Sequence, residues 1–317
     1  MRRVLLLSIS ILPLLLLGTT AQAADAPVAE CGFTGIVEGG AGYQGGNVSV
    51  NTDRLGLPGN FLGFGETAIG YGCGNWMAQL DGALYHSGVS ERISGTQVNV
   101  TDKQGHIGGA VMLRDVSVGR FGLAASEILN NTHGDAPGFN FDIGGSLTRG
   151  GVFGDYYASD AITLGAGGFY VTGRPIDGFG SSVTESGFEG NIHAKFYATD
   201  NISLTLQGDL QRANFTSNVV NPWNGYAGSI EAEYLVPSTA LSLFVGGLTV
   251  SRTLEGTGSS SSTTFDDTHG YIGLKWAFGA PITSLRARDR AGPYDNTSVF
   301  DEKLPNIYYD ALSAGLL

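Results

Sequence analysis

Long apolar runs are absent from this chain after its first seventeen residues. No later segment supplies the roughly 20 consecutive apolar residues that a spanning helix requires, so a helical membrane protein is excluded. Positive charge is also scarce: 17 Lys and Arg stand against 29 Asp and Glu, a formal net charge of −12. Nucleic-acid binding calls for a basic footprint, and this balance argues against it. Charged residues make up only 15% of the sequence, too few for a disordered acidic chain. Cysteine is limited to Cys31 and Cys73, and neither sits in anything like a metal knuckle, so no metal and no cofactor is expected.

The apolar run that does exist, Val4 to Leu17, follows Arg2 and Arg3 and leads into Ala21-Gln22-Ala23. It is too short for a spanning helix, and the pattern predicts a secretory signal peptide over 1–23, cut after Ala23. An uncleaved anchor is the alternative. The leader holds two Arg and no acid, so its loss would take the net charge from −12 to −14. In an exported chain Cys31 and Cys73 are expected to pair, the former just before the first strand and the latter ending the second. Two unpaired thiols at the same rim are the alternative.

What fills the rest is glycine, at 50 positions, and alternation. The stretches YYASDAITLGAGG at 156, FYATDNISLTLQGD at 196 and YLVPSTALSLFVGG at 234 each run aromatic residues into a short turn and restart with every second residue apolar. Successive side chains on a strand point to opposite faces, so one face is apolar and the other polar or small. Phe33, Val37, Ala41 and Tyr43 oppose Thr34, Glu38, Gly42 and Gln44. Trp76, Leu80 and Leu84 oppose Gln79, Asp81 and Tyr85. Phe188, Ile192, Ala194 and Phe196 oppose Glu189, Asn191, His193 and Lys195. Ile202, Leu204, Leu206 and Leu210 oppose Ser203, Thr205, Gln207 and Asp209, and Tyr226, Ile230 and Tyr234 oppose Ser229, Glu231 and Glu233. The strand from Leu241 is apolar on both faces. Arg149-Gly150-Gly151 predicts a bulge in the sixth strand.

Twelve strands fit between Phe33 and Phe278, with ten or fourteen as alternatives. Connections near 74, 114, 160, 200 and 238 are short. Those near 45–60, 88–102, 127–138, 173–184, 216–223 and 253–266 read as longer loops rich in Gly, Ser, Asn and Thr. Strict alternation of short and long is the arrangement of a transmembrane antiparallel β-barrel with periplasmic turns and extracellular loops. A soluble sandwich would have to expose a face carrying Phe188, Ile192 and Phe196 to water. A barrel wall needs only every second residue apolar, which reconciles 42% hydrophobic residues with a mean hydropathy of +0.06.

The last strand, HGYIGLKWAFG, carries Tyr271, Gly273, Trp276 and Phe278 in the order of the terminal-strand signal of outer-membrane barrels. On that motif, the leader and the loop ladder, the chain resembles the porin-like β-barrel proteins of Gram-negative outer membranes. The resemblance covers about 33–278. It implies outer-membrane lipid and the barrel-insertion machinery as partners, and small solutes or ions as cargo. In that family the signal usually ends the chain, whereas here 279–317 follow, with Arg286, Arg288 and Arg290 ahead of a Gly-Pro break. The expectation for 24–32 is a short lead-in segment. For 279–317 it is a loosely ordered periplasmic tail, with a partial plug of the lumen or contact with the cell wall as sharper readings. Leu304, Ile307, Tyr308 and Leu312 suggest one apolar helix face.

The polar faces place Glu38, Asp81, Glu189, Asn191, His193, Lys195, Asp209, Glu231 and Glu233 in the lumen. Gly108, Ala110, Gly165 and Gly167 leave space opposite them. Excess acid favours cations, so a passive channel for small polar solutes or ions is the first reading. The second is a non-conducting structural or surface-interaction barrel, with loops such as GTGSSSSTTF at 256 making the contacts. A rim lipid hydrolase built on His86 and Ser87 ranks third, because adjacent residues on a strand face opposite sides. No catalytic residue is expected. His106, His133 and His269 show no triad-like or ligand-like spacing, and Asp266-Asp267 reads as a solvated acidic loop. The residues leave the oligomeric state open.

Overall fold

In a computed structural model the described residues are 31–294, apart from 51–52, 94–95, 138, 179–180, 217–219, 257–261 and 282. The predicted leader and the segment carrying Leu304, Ile307, Tyr308 and Leu312 lie outside them. Among the described residues the chain forms twelve strands and one short helix. The strands are β1 (Cys31–Val50), β2 (Asp53–Cys73), β3 (Trp76–Ile93), β4 (Thr96–Asp115), β5 (Gly119–Ala136) and β6 (Phe139–Ser159). They continue as β7 (Ile162–Gly178), β8 (Ser181–Thr199), β9 (Ile202–Thr216), β10 (Val220–Leu235), β11 (Leu241–Gly256) and β12 (Ser262–Phe278). Each pairs antiparallel with its sequence neighbour, and β12 returns to β1, closing the barrel. Closure leaves no strand edge unpaired, which hydrocarbon demands because it offers backbone groups no partner.

The seam between β1 and β12 runs from Gly35 opposite Phe278 to Val50 opposite Thr263. On β12, Trp276 and Phe278 point outward, while Tyr271 and Gly273 point into the barrel. Cys31 and Cys73 are directly opposed across β1 and β2 and joined by a disulfide.

Outward aromatic residues mark the two membrane interfaces. Phe33, Tyr71, Trp76, Phe121, Tyr156, Phe196, Tyr234 and Trp276 ring the barrel close to the short turns, and Tyr43, Phe61, Tyr170, Phe188 and Tyr226 ring it higher up. Between them lie exposed aliphatics such as Leu80, Ile107, Ile192, Ile230 and Ile272. Phe33 and Tyr43 are ten residues apart; at about 3.3 Å per residue and a tilt of about 40° this spans roughly 25 Å, the height of a barrel's apolar band.

The strands are longer than the bilayer needs. They run from 15 to 21 residues, where about 9–11 suffice to span. The stretches read as long outer loops are therefore largely strand, with pairing continuing to Val50–Asp53 and Ile93–Thr96. Above the membrane both faces of the wall meet water, so composition turns polar while strand pairing continues, with register shifts at Gln44/Gly46, Gly144/Ser146, Gly173/Ile176 and Val220/Trp223. The bulge predicted at Arg149-Gly150-Gly151 is absent: β5 and β6 stay in register through all three residues, and the irregularities of β6 lie at 144–146 and 156–159. Gly150 faces outward and Gly151 inward against Phe169, so the glycines answer to close packing rather than to a slip in alternation.

After Phe278 the chain turns back into the barrel. Gly279 adopts φ +71, and a Cβ there would strike the Phe33 carbonyl, so this reversal is built for glycine. Helix α1 (Leu285–Ala291) follows, with Ser284 Oγ accepting from the Ala287 amide and the Gly292 amide donating to Arg288 O. Residues 284–294 are buried, apart from Ala287 and Asp289, which are partly so. The described part of the tail is thus a plug at the periplasmic end of the lumen, not a loose extension below it.

Candidate functional site: the lumen and its floor

The floor is assembled from backbone as much as from side chains. Gln79 clamps Tyr294 on both sides, its amide donating to Tyr294 O and its oxygen accepting from Tyr294 N, both at 2.7 Å. Arg114 donates to Ala291 O at 2.6 Å, and Arg120 to Pro293 O at 3.2 Å. The Tyr294 ring stacks on Phe153 at 3.6 Å between centroids. On the other flank Leu285 packs with Tyr197 and Leu235, and its amide donates to Asp200 O.

The tail arginines reach the wall at two places, Arg286 and Arg290 at the turn of Ser159 and Asp160, and Arg288 at Glu233 and Ser242. Arg286 meets the turn at Asp160, 3.3 Å from its carboxylate, and Arg290 donates to Ser159 O at 2.6 Å with its guanidinium over Tyr157. Arg288 is the deepest, its side chain 1% exposed. It donates to Glu233 Oε1 and to Ser242 Oγ, each at 2.6 Å, and Ser242 donates in turn to Glu233 at 2.7 Å. Asp289 completes the group with Lys195 at 2.5 Å. Burial pushes the Asp289 carboxyl up, but Lys195 and Arg288 outweigh it and hold it below the ordinary 3.8. Burial likewise opposes the Arg288 charge, and Asp289 and Glu233 overcome it, leaving the guanidinium more firmly protonated than usual.

Above the floor lies a chamber of about 200 Å³ lined by Glu38, Glu66, Asp81, Lys195, Glu231 and Lys275 among others, with Asp289, Arg290 and Tyr294 below. Of the residues assigned to the lumen, Glu38, Asp81, Asn191, His193, Lys195 and Glu231 border this chamber. Glu189, Asp209 and Glu233 also face inward but are buried in the wall. Lys275 holds Glu38 at 3.0 Å and reaches Glu231 at 3.9 Å and Glu233 at 4.0 Å, while Lys195 sits 3.4 Å from Glu233. Glu189 is tied to Arg149 at 2.9 Å, and that guanidinium lies 3.5 Å over the Phe169 ring.

Three features were not legible. His106 pairs with Asp81 at 2.8 Å and His133 with Asp142 at 2.8 Å, both across neighbouring strands rather than at a sequence spacing. Asp155 joins Arg120 at 2.6 Å to His193 at 3.1 Å. The expected free space is also gone: a Cβ on Gly165 would meet His193 and Asp155, one on Gly167 would meet Phe169 and Asn191, and Ala110 packs with Tyr294. Large neighbours lean into each gap that a small residue leaves. The lumen is not uniformly polar either, since Leu62, Phe64, Tyr85, Phe244, Leu248, Val250 and Tyr271 form an apolar cluster on one wall. Tyr271 also donates to Glu231 at 3.1 Å.

At the outer rim His86 points outward and Ser87 inward. Among the described residues no group of three or more His, Cys, Asp or Glu is arranged to hold a metal ion. No described helix is long and apolar enough to cross a membrane, a statement that leaves the strands free to do so.

A closed, even-stranded antiparallel barrel with an aromatic-girdled apolar exterior and an ionised interior defines the class: a transmembrane β-barrel of the Gram-negative outer membrane. Neither a family model nor a curated protein matches the sequence. Among solved structures it is similar to the translocator domain of the autotransporter NalP from Neisseria meningitidis, at 14% identity and a TM-score of 0.46, covering 77% of this chain and 88% of that one. It is also similar to the β domain of the Bordetella autotransporter BrkA, at 8% identity and TM-score 0.46, covering 76% and 99%. A FadL homologue of Pseudomonas aeruginosa aligns at 9% identity and TM-score 0.40, covering 76% and 90%. At such identities and scores the likeness carries no argument about function.

Proposed function

We propose that this barrel is a passive conduit for small polar solutes or ions, closed at its periplasmic end by its own C-terminal segment. The observation that carries this reading is the way the closure is made. The floor is one chain segment, 284–294, held mainly by hydrogen bonds and ion pairs beneath a charged chamber, with apolar contacts at Leu285 and Tyr294. A wall meant only to be filled is served by apolar packing, whereas a polar seat lets water replace each contact when the segment leaves. The acids Glu38, Asp81 and Glu231, which border the chamber, favour cations. No bond-making chemistry belongs to this role, and replacing Ser87 by Ala is expected to leave lipid hydrolysis at background. Outer-membrane lipid and the insertion machinery, which would read Trp276 and Phe278 on the exposed face of β12, are its proposed partners.

Planar-bilayer recording tests this. Purified, folded protein should show rare openings, and Gln79→Ala combined with Arg114→Ala, which frees Tyr294 and Ala291, should raise the open fraction. If neither form passes current while both still fold, as judged by heat-modifiable gel migration, the barrel is a structural or surface-interaction element instead.

A further inference from the structure

The seat of Arg288 belongs to the wall, not to the tail. Glu233 comes from β10 and Ser242 from β11, and both side chains are essentially buried, at 2% and, for the whole serine, 0% exposure. They present two oxygens to two separate nitrogens of one guanidinium at 2.6 Å each, and the Ser242–Glu233 hydrogen bond fixes their spacing. A planar fork meets such a pair with two parallel donors at fixed spacing, which a compact ammonium, a point charge, matches less well. Arg288 also donates to Asp289 Oδ1, from Nε at 3.1 Å and from Nη2 at 2.9 Å, and both of these contacts are made within the tail and leave with it. The other oxygen of Glu233 faces Lys195 and Lys275, which line the chamber. Glu233 therefore stands between the chamber and the plug.

We infer that the Glu233–Ser242 pair is a binding site for guanidinium-bearing solutes, filled in the resting protein by Arg288 of the same chain. The site rests on the conduit reading above and gives it a solute class: cations with a free guanidinium group, met on the way from the chamber to the periplasm. Arg288 acts as a tethered competitor. A tethered group has an effective concentration on the order of mM, so a free solute displaces it only in that range or above. Binding then favours the undocked tail by mass action.

Two measurements on the full-length chain decide this. In equilibrium binding with radiolabelled methylguanidinium, folded Arg288→Ala should take up one equivalent, saturably. Wild type should bind at least tenfold more weakly, and Arg288→Ala with Glu233→Gln should lose the site. Methylammonium at equal ionic strength should not compete. Failure of Arg288→Ala to bind, or equal competition by methylammonium, overturns the site. If Arg288→Ala does not fold, Arg288→Lys serves in its place, and it too must bind methylguanidinium more tightly than wild type. In bilayers the same solute should lower the current through Arg288→Ala saturably. Binding without any current would leave the site standing and defeat the conduit, whereas current without binding would do the reverse.

Discussion

The two faces of one wall obey different rules. Outside, any aliphatic side chain serves at any position, because its partner is hydrocarbon: Ile192 and Ile230 are exposed to lipid midway between the aromatic girdles. Inside, each charged side chain depends on a few particular others, as Glu233 depends on Arg288, Lys195 and Lys275. The exterior is set by residue type and the interior by residue pairing. Loss of a side chain should therefore be costlier inside, and gain of a charge costlier outside.

The sharpest way to break that contrast is Glu233→Ala, which removes the buried carboxylate from Arg288 and leaves Asp289, Glu38 and Glu231 as the remaining partners of Arg288, Lys195 and Lys275. Removing one partner of a buried ion pair costs about 3–5 kcal/mol. Urea unfolding in micelles or vesicles should show a drop of that order, together with release of the tail to protease. A change under about 1 kcal/mol would mean that the network is solvated and the floor open. Next is Ile192→Arg, a charge near the bilayer midplane, expected to cost about 2–4 kcal/mol. Ser229→Arg, on the chamber side of β10, should stay within about 0.5 kcal/mol, as ordinary hydrated positions do. Equal penalties at the two sites would show that the faces are misassigned. The smallest effect is the response to acid. Asp289 is held below its ordinary 3.8, so the stability that it lends to tail docking is fully present above that value. It is lost as pH falls below 3.8 through the lowered value. Tail proteolysis should thus be flat from pH 8 to 5 and rise only under strongly acid conditions, and Asp289→Asn should flatten that rise. A rise already complete at pH 5 would rule Asp289 out as its source.

The same contrast explains what could be read from residues alone. The strand order, the outward face and the short turns were legible, because lipid imposes one requirement on every second position and β-turns announce themselves locally. The upper parts of the strands were not, since Gly, Ser, Asn and Thr look like loop wherever water wets both faces. Glu189, Lys195 and Glu233 were placed in the lumen by alternation, but their partners were beyond reach. Arg149 and Glu189 lie on the two strands that flank β7, and Arg288 follows Glu233 by 55 residues, so only the pairing register of three strands and the turn at Gly279 bring these partners together. Asp155 was missed for the same reason, its contacts with Arg120 and His193 coming from strands on either side.

The claim on which the interior rests is that the tail sits inside the barrel floor, and cysteine accessibility tests it directly. Ala291→Cys and Ser117→Cys, each made with the native disulfide intact, would be exposed to a membrane-impermeant maleimide supplied from the periplasmic side. Ala291 is 6% exposed and hydrogen-bonded through its carbonyl to Arg114, whereas Ser117 lies on an open turn. Position 291 should label at least tenfold more slowly than position 117, and Arg114→Ala should narrow the gap. Equal rates in the parent protein would place the tail outside the lumen and contradict the account.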